Sequence, residues 1–349
     1  MSGGVLNVGL AILARNEAER IGQLLSDLGK QTLLADERVS THVFVVANGC
    51  TDRTAEVARQ ALAAPAFSRP RIGTSVHELA KAGKSNAWNE LVHRIAPKGT
   101  DYMFFLDADI RIPESGSLKA ILDGLASSPE AVVAIDRSVK DIELEQPKTL
   151  TEKLIKLGTG TAEDTRLAIA GACYCVQFSE VERIWMPVGL PGEDGFLRAM
   201  LLTSSFTHEE RLSRHLFIKD AYHIFESLRD AGSVVRHNVR LAIGTAINIL
   251  LFWHLREIRA SGRDVAEYIQ ERNAADPNWV DSLVRERLKD NFFPLHTRYL
   301  LRRFRPLVRG PERRSFKDWL IALFGTSFDL VVFLKATLLM RKGAGAGYW

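Results

Sequence analysis

An apolar run, Tyr102-Met103-Phe104-Phe105-Leu106, ends in two carboxylates spaced by one small residue, Asp107-Ala108-Asp109. A short apolar run bounded by polar sequence reads as a buried strand. Side chains alternate along a strand, so positions 107 and 109 face the same way. Two carboxylates at a strand's C-terminal end suit a hard divalent cation, which takes oxygen ligands and bridges phosphates. A pair of solvated turn aspartates has the same spelling, so the neighbours must decide. Glu193-Asp194 is a second acidic pair. It follows the turn Pro191-Gly192 and precedes the apolar stretch 196–202, which places it at a helix start. Such a pair either caps the helix or supplies a general base, which need only be ionised and within hydrogen-bond reach of its proton. Lys84 opens a helical stretch behind Gly83, where a cation and a helix N-terminus together suit a phosphate. A solvated surface lysine is the plainer reading.

The elements that must position these groups alternate. Residues 5–13 read as a first strand, and Asn16 then opens a helical pattern with Ile21, Leu24, Leu25 and Leu28 on one face. Residues 41–47 form a second strand that ends at the turn signal Asn48-Gly49, and 52–64 form its helix, with Asp52 as the cap. Residues 84–95 are helical, 101–106 carry the two aspartates, and 131–136 and 168–177 read as further strands. The charged stretch 140–163 reads as loop plus helix. Strands alternating with helices predict an α/β fold, a Rossmann-like and mostly parallel sheet flanked by helices. Ligands on such sheets sit at the C-terminal ends of the strands, so the polar loops after the first strands share one cleft.

A chain of 349 residues with 46% hydrophobic and 25% charged residues is an ordinary globular chain long enough for a large core. A net charge of +4 is too small to argue for nucleic acid, and no nucleic-acid motif accompanies it. Cys50, Cys173 and Cys175 cannot all pair and show no zinc spacing. Reduced thiols and an N-terminus without a basic-then-apolar pattern point to the cytoplasm. Cys173 and Cys175 share a face of their strand and read as core or pocket wall.

Together these motifs resemble family 2 glycosyltransferases of GT-A fold, over roughly residues 5–240. Ala14-Arg15-Asn16-Glu17 is similar to that family's Ala-X-X-Asn-Glu, and Ala47-Asn48-Gly49-Cys50-Thr51-Asp52-Arg53-Thr54 to its Asp-Asp-Gly-Ser-Thr-Asp-X-Thr. Gly83-Lys84-Ser85-Asn86-Ala87, Asp107-Ala108-Asp109 and Gly192-Glu193-Asp194-Gly195-Phe196 follow in order. The resemblance implies a nucleotide-diphosphate sugar donor, a UDP-sugar favoured, and Mg²⁺ or Mn²⁺. It implies that Asn16, Glu17 and Asn48 meet base or ribose, although Asn16 also suits an N-cap and Asn48 a plain turn. It implies Lys84 on the diphosphate, Asp107 on ribose or metal, Asp109 on the metal, and Asp194 beside Glu193 as general base of an inverting transfer. Arg236 and Arg240 are candidates for clamping the diphosphate, and His237 for a third metal ligand or a structural histidine. Where processive and lipid-directed relatives carry Gln-X-X-Arg-Trp, this chain has His237-X-X-Arg240-Leu241, so processive synthesis is not implied.

Beyond residue 240 the composition changes, and a boundary is expected there: a catalytic domain over 1–240 and a helical region over 241–349. Residues 241–255 and 319–340 are apolar, and Arg298, Arg302, Arg303, Arg305, Arg309, Arg313, Arg314 and Lys317 precede the second run. Basic sequence beside an apolar helix suits an anionic membrane surface. Asp329 lies mid-run, where a charge costs about 3 kcal/mol to insert. A peripheral anchor at the cytoplasmic face is therefore favoured over a spanning helix, with a buried helical subdomain as the alternative. The acceptor is then expected to be a lipid-linked or cell-envelope glycan. Two other functions compete. A sugar nucleotidyltransferase would need a glycine-rich loop after the first strand, which Ala14–Glu17 lacks. A non-catalytic scaffold on a degenerate fold is favoured by Asn48 and disfavoured by Asp107, Asp109 and Asp194.

Overall fold

Short β-branched runs and amphipathic helices alternate through the first two thirds of the chain and wind into one sheet. The structure is a computed structural model and describes residues 4–144, 168, 169, 171–289, 295, 297–304, 307, 308 and 315–342. In chain order the elements are β1 (Leu6–Ala14), α1 (Ile21–Leu28), β2 (Val39–Asn48), α2 (Thr54–Leu62), β3 (Ile72–Leu79) and α3 (Lys84–Glu90). Then come β4 (Tyr102–Asp107), α4 (Ser117–Ala126), β5 (Val133–Lys140), α5 (Asp141–Leu144), β6 (Cys173–Gln177), α6 (Phe178–Val181), α7 (Glu193–Thr203) and β7 (His215–Phe225). The helices α8 (Ala231–Ala260), α9 (Val265–Ala275), α10 (Trp279–Arg287) and α11 (Phe316–Arg341) follow.

The sheet has seven strands in the order β3-β2-β1-β4-β6-β5-β7. All neighbours run parallel except β6, which is antiparallel to both β4 and β5. The expected α/β class is therefore present. Two strands escaped the sequence pattern, and both are edges. No residue of β3 is buried, so it has no apolar run. The apolar pattern of β7 is broken by Lys219-Asp220, opposite a register shift in β5. Of the charged stretch 140–163, only its beginning is described, as the end of β5 and α5; the rest lies outside the described residues.

Alternation along β4 sorts the core into two layers. Phe104 and Leu106 pack with Leu24, Leu118, Cys173 and Cys175 on one face. Met103 and Phe105 pack with Trp88, Tyr174, Phe196 and Ile247 on the other. Phe105 stacks between Trp88 (centroids 5.6 Å apart) and Tyr174 (5.0 Å). The boundary expected near residue 240 falls inside α8, which runs unbroken from Ala231 to Ala260. The second core layer continues across it, joining Leu197 and Met200 to Ala246, Leu251, Val332 and Phe333. The compositional change near residue 240 thus lies within a helix.

Asp329 is not the uncompensated charge its sequence position suggests. It is fully buried, and both Arg302 and Arg303 donate to it through Nε and Nη2 at 2.8–3.1 Å. These two partly exposed arginines are thereby committed to Asp329, while Arg305, Arg309, Arg313 and Arg314 lie outside the described residues. Removing one partner of a buried ion pair leaves the other uncompensated. Asp329→Ala should therefore lower unfolding free energy by about 3 kcal/mol, measured by urea denaturation. A change under about 0.5 kcal/mol would place the pair among weak surface bridges instead.

Candidate active site

The cleft is built at the C-terminal ends of the parallel strands. Asp107 is the last residue of β4, Lys84 the first of α3, and Glu193 and Asp194 the first two of α7. Lys84 Nζ lies 2.8 Å from Asp107 Oδ1 and 3.4 Å from Glu193 Oε1. Burial disfavours its charge, but Asp107, Glu193 and Asp194 outweigh that and hold the ammonium well above the ordinary lysine range. Glu193 is 7% exposed, and its Oε2 also accepts from the Gly192 N–H at 3.2 Å. Burial would raise its carboxyl, yet Lys84, its own backbone N–H and Arg240 keep it below the usual range.

Asp194 is different. Burial, then the adjacent Glu193 charge, pushes its carboxyl up to about 7, even with Lys84 opposing. Two carboxylates in one cavity are thus split, one held ionised and the other poised near neutrality. Gly171 contributes a backbone N–H to Asp194 and must be glycine to do so. A Cβ there would stand 2.0 Å from Asp194 Oδ1. The small cavity around these groups is walled by Leu13, Trp88, Phe105, Tyr174, Met186 and Leu197.

The turn that carries the acidic pair is clamped from behind by α8. Gly244 lets the helix touch the Pro191 carbonyl, and a Cβ at that position would lie 2.1 Å from the oxygen. Asn248 Nδ2 donates to the Gly192 carbonyl at 2.7 Å. Gly192, at φ +121°, sits in a region that only glycine enters readily. From the same helix Arg240 reaches the carboxylates; Glu193, Asp194 and Asp107 are the charges that act on it. Arg236 instead donates to Ser233 Oγ at 2.6 Å, within its own helix. His237 stands among cations, Arg240 and Lys140, and is held below the ordinary imidazole range by burial and by them. The structure does not assemble Asp107, Asp109 and His237 into a three-ligand set. Among the described residues, the His, Cys, Asp and Glu side chains that meet within 4.8 Å are different ones.

The loop after β1 is stitched to the loop after β2. The N-cap that Asn16 also suits is not formed: α1 starts at Ile21, behind Arg20. Asn16 has left-handed backbone (φ +55°), and its Oδ1 accepts from Thr51 N at 2.8 Å. The Glu17 N–H is bound by Thr54 Oγ1 at 2.8 Å, and Ala18 N–H by Asp52 at 3.1 Å. Asp52 also caps the start of α2, as expected, accepting from Thr54 N at 2.9 Å. These bonds turn Glu17 toward β4. Burial and then Asp109 raise its carboxyl, with Asp107 adding to the effect. Asn48 is 3% exposed, and its Oδ1 has no protein partner.

Glu17, Asp107 and Asp109 thus crowd negative charge at the cleft mouth, with hard oxygen donors only. That donor set fits Mg²⁺ or Mn²⁺, whose binding would relieve the mutual repulsion. Asp107 and Asp109 are the residues that would hold it. Gly171 and Gly244 act through close backbone approaches and Asn248 through an amide reaching the Gly192 carbonyl, contacts between distant residues that spacing does not encode.

Gly171→Ala should displace the Asp194 carboxylate while leaving the fold intact, because only a short side chain must move. Turnover should fall by about 10²-fold or more, the usual scale of a lost general base, with little change in melting temperature. Wild-type turnover in that variant would mean Asp194 need not sit against Gly171.

The glycosyl transferase family 2 model matches residues 10–181. No curated protein sequence matches the chain. Among solved structures, S. aureus TarS aligns at 14% identity and TM-score 0.48, over 97% of this chain. The chain spans only 53% of that protein's length. Glucosyl-3-phosphoglycerate synthase from Mycobacterium tuberculosis, in complex with Mn²⁺, UDP-glucose and phosphoglyceric acid, aligns at 16% identity and TM-score 0.47. That alignment covers 71% of this chain and 79% of the other. Over residues 10–181, just under half of the chain, the sequence is thus similar to family 2 glycosyltransferases, and the α/β strand order and the acidic cleft described above agree with that similarity.

Proposed function

We propose that the chain transfers a sugar from a nucleotide-diphosphate sugar, a UDP-sugar by preference, to a hydroxyl of a lipid-linked or cell-envelope glycan, with inversion. The observation that carries this reading is the split acidic pair: Asp194, with its carboxyl at about 7, beside the ionised Glu193 and Lys84. Asp194 takes the acceptor's hydroxyl proton, and the oxygen attacks the anomeric carbon as its bond to the diphosphate breaks. Lys84 and Arg240 place positive charge where the leaving diphosphate develops its own. Glu193 holds Lys84 in place and does not take the proton. Asn16, Glu17 and Asn48 line the strand ends where the nucleoside would rest. Held by Asp107 and Asp109, Mg²⁺ or Mn²⁺ would supply further stabilisation of the diphosphate charge.

The first test is a donor screen that measures nucleotide-diphosphate release with and without divalent metal. Release from no donor would sink the proposal. With an active donor, turnover should rise as pH climbs through about 7, because Asp194 must be ionised to accept a proton. Asp194→Asn should keep donor affinity, lose that pH limb, and turn over about 10²-fold more slowly or worse. Near wild-type turnover would leave Asp194 as a helix-start residue only.

The lipid acceptor and a peripheral place at the cytoplasmic membrane face are supported by α11. One side packs on the protein through Val332, Phe333, Ala336 and Met340. The other exposes Trp319, Leu323, Phe324, Leu334 and Leu338, with Phe324 at 74%. Both α8 and α11 are long and apolar enough to cross a membrane, a test that core helices also pass. In vesicle co-sedimentation the full chain should pellet with anionic lipid. Phe324→Ser, Leu334→Ser and Leu338→Ser together should weaken this at least about tenfold, since burying each large apolar side chain is worth roughly 1.5–3 kcal/mol. Full recovery of the wild-type chain in the supernatant, on anionic and neutral vesicles alike, would remove the membrane from the reading.

A further inference from the structure

Three strands bring a second constellation together on the far side of the sheet. Asp136 of β5, Cys173 of β6 and His223 of β7 meet there, at 3%, 1% and 0% exposure. A carboxylate oxygen, the Sγ and an imidazole nitrogen all lie within 4.8 Å of one another. Asp136 Oδ1 and His223 Nδ1 are 2.8 Å apart. The second oxygen, Asp136 Oδ2, and the second nitrogen, His223 Nε2, are both buried with no hydrogen-bond partner, and the contact the Cys173 thiol makes is to the same carboxylate. Buried polar atoms are rarely left in that condition, because they give up water without replacing it. The strand register is also irregular here. Pairing of β5 with β7 jumps from Ile135↔Phe217 to Arg137↔Tyr222, so Asp136 alone stands opposite residues 218–221.

We propose that Asp136, Cys173 and His223 form a buried site for one transition-metal ion of the Zn²⁺ class. One thiolate, one imidazole and one carboxylate are a mixed sulfur, nitrogen and oxygen set that suits Zn²⁺ and not Mg²⁺. The charges also close. A carboxylate and a thiolate against a dication sum to zero, which an apolar core tolerates far better than a lone carboxylate. On binding, the Cys173 thiol must give up its proton. The thiol proton leaves to solvent, and His223 stays neutral with its one ring proton on the nitrogen that does not bind.

The position gives the ion a task. The residue before Cys173 is Ala172, whose carbonyl accepts from Asp107 N at 2.9 Å. The residue after His223 is Ile224, which forms a two-bond bridge with Arg111 at 2.8 Å each way. Both ends of the turn 107–111, which carries the two aspartates, are therefore tied to residues next to metal ligands. An ion joining β5, β6 and β7 at that level would brace the turn from beneath. This site is separate from the Asp107–Asp109 cleft, and its existence does not depend on the transfer activity.

The full chain should be purified without a metal-chelating tag and its metal content measured by elemental mass spectrometry. About one Zn²⁺ per chain should survive dialysis against a mild chelator, and Asp109→Ala should retain it. Refolding in Co²⁺ should give a thiolate-to-cobalt charge-transfer band that Cys173→Ser lacks. If that variant does not fold, the wild-type chain still decides. Stripped protein should melt higher when Zn²⁺ is returned, and not when Mg²⁺ is added. Metal well below about 0.1 per chain, with no thiolate–cobalt band after refolding, would overturn the proposal. So would Zn²⁺ that disappears in Asp109→Ala, which would place the ion in the cleft.

Discussion

One ammonium group organises the cleft. Lys84 Nζ stands between Asp107 and Glu193, at 2.8 and 3.4 Å, and so joins the starts of α3 and α7 to the end of β4. About a third of its side chain remains open to solvent, so the pair is neither a surface bridge nor fully interred. Without that cation, Asp107, Glu193 and Asp194 would repel one another across a small cavity whose walls are largely apolar. With it, Glu193 stays ionised, and the excess proton affinity falls on Asp194. The split between an ionised carboxylate and one poised near neutrality is thus a consequence of where a single charge sits.

The geometry behind that charge is set by backbone approach. Three glycines mark it: Gly171 against Asp194, Gly192 at the start of α7, and Gly244 against Pro191. Gly171 and Gly244 permit contacts that a methyl group would block, and Gly192 takes a left-handed backbone that favours glycine. The result is that α8, which begins after the sheet is complete, closes the rear of the acidic turn and also carries Arg240 toward the carboxylates. The helical third of the chain is therefore part of the cleft. Its own interior is fixed in turn by Arg302, Arg303 and Asp329, an ion cluster that lets α11 keep a carboxylate in an otherwise apolar helix.

The sheet separates two kinds of chemistry. On the cleft side the donors are hard oxygens at strand ends, partly open to solvent. On the other side lie a thiol, an imidazole and a carboxylate, closed off in the core. The short connection between them runs through the turn after β4, which pairs with Ala172 and Ile224.

The amino-acid sequence by itself determined the local grammar. Short continuous apolar runs set β1, β2 and β4 within a few residues and located β6 less closely, because central strands buried on both faces cannot avoid such runs. Asp107, Asp109, Lys84, Glu193 and Asp194 were legible because strand ends and helix starts have recognisable punctuation. Edge strands β3 and β7 were not, since a half-solvated strand needs no apolar run. Only the tertiary structure decided which of the two acids at the start of α7 would be ionised. It also turned Asn16 from a helix cap into a loop tie, sent Arg240 rather than Arg236 to the cleft, and set His237 among cations. It alone brought Asp136, Cys173 and His223 together. Such outcomes depend on distances between residues far apart in the chain, and on the burial that comes with them. Neither quantity exists until the strands have chosen their neighbours.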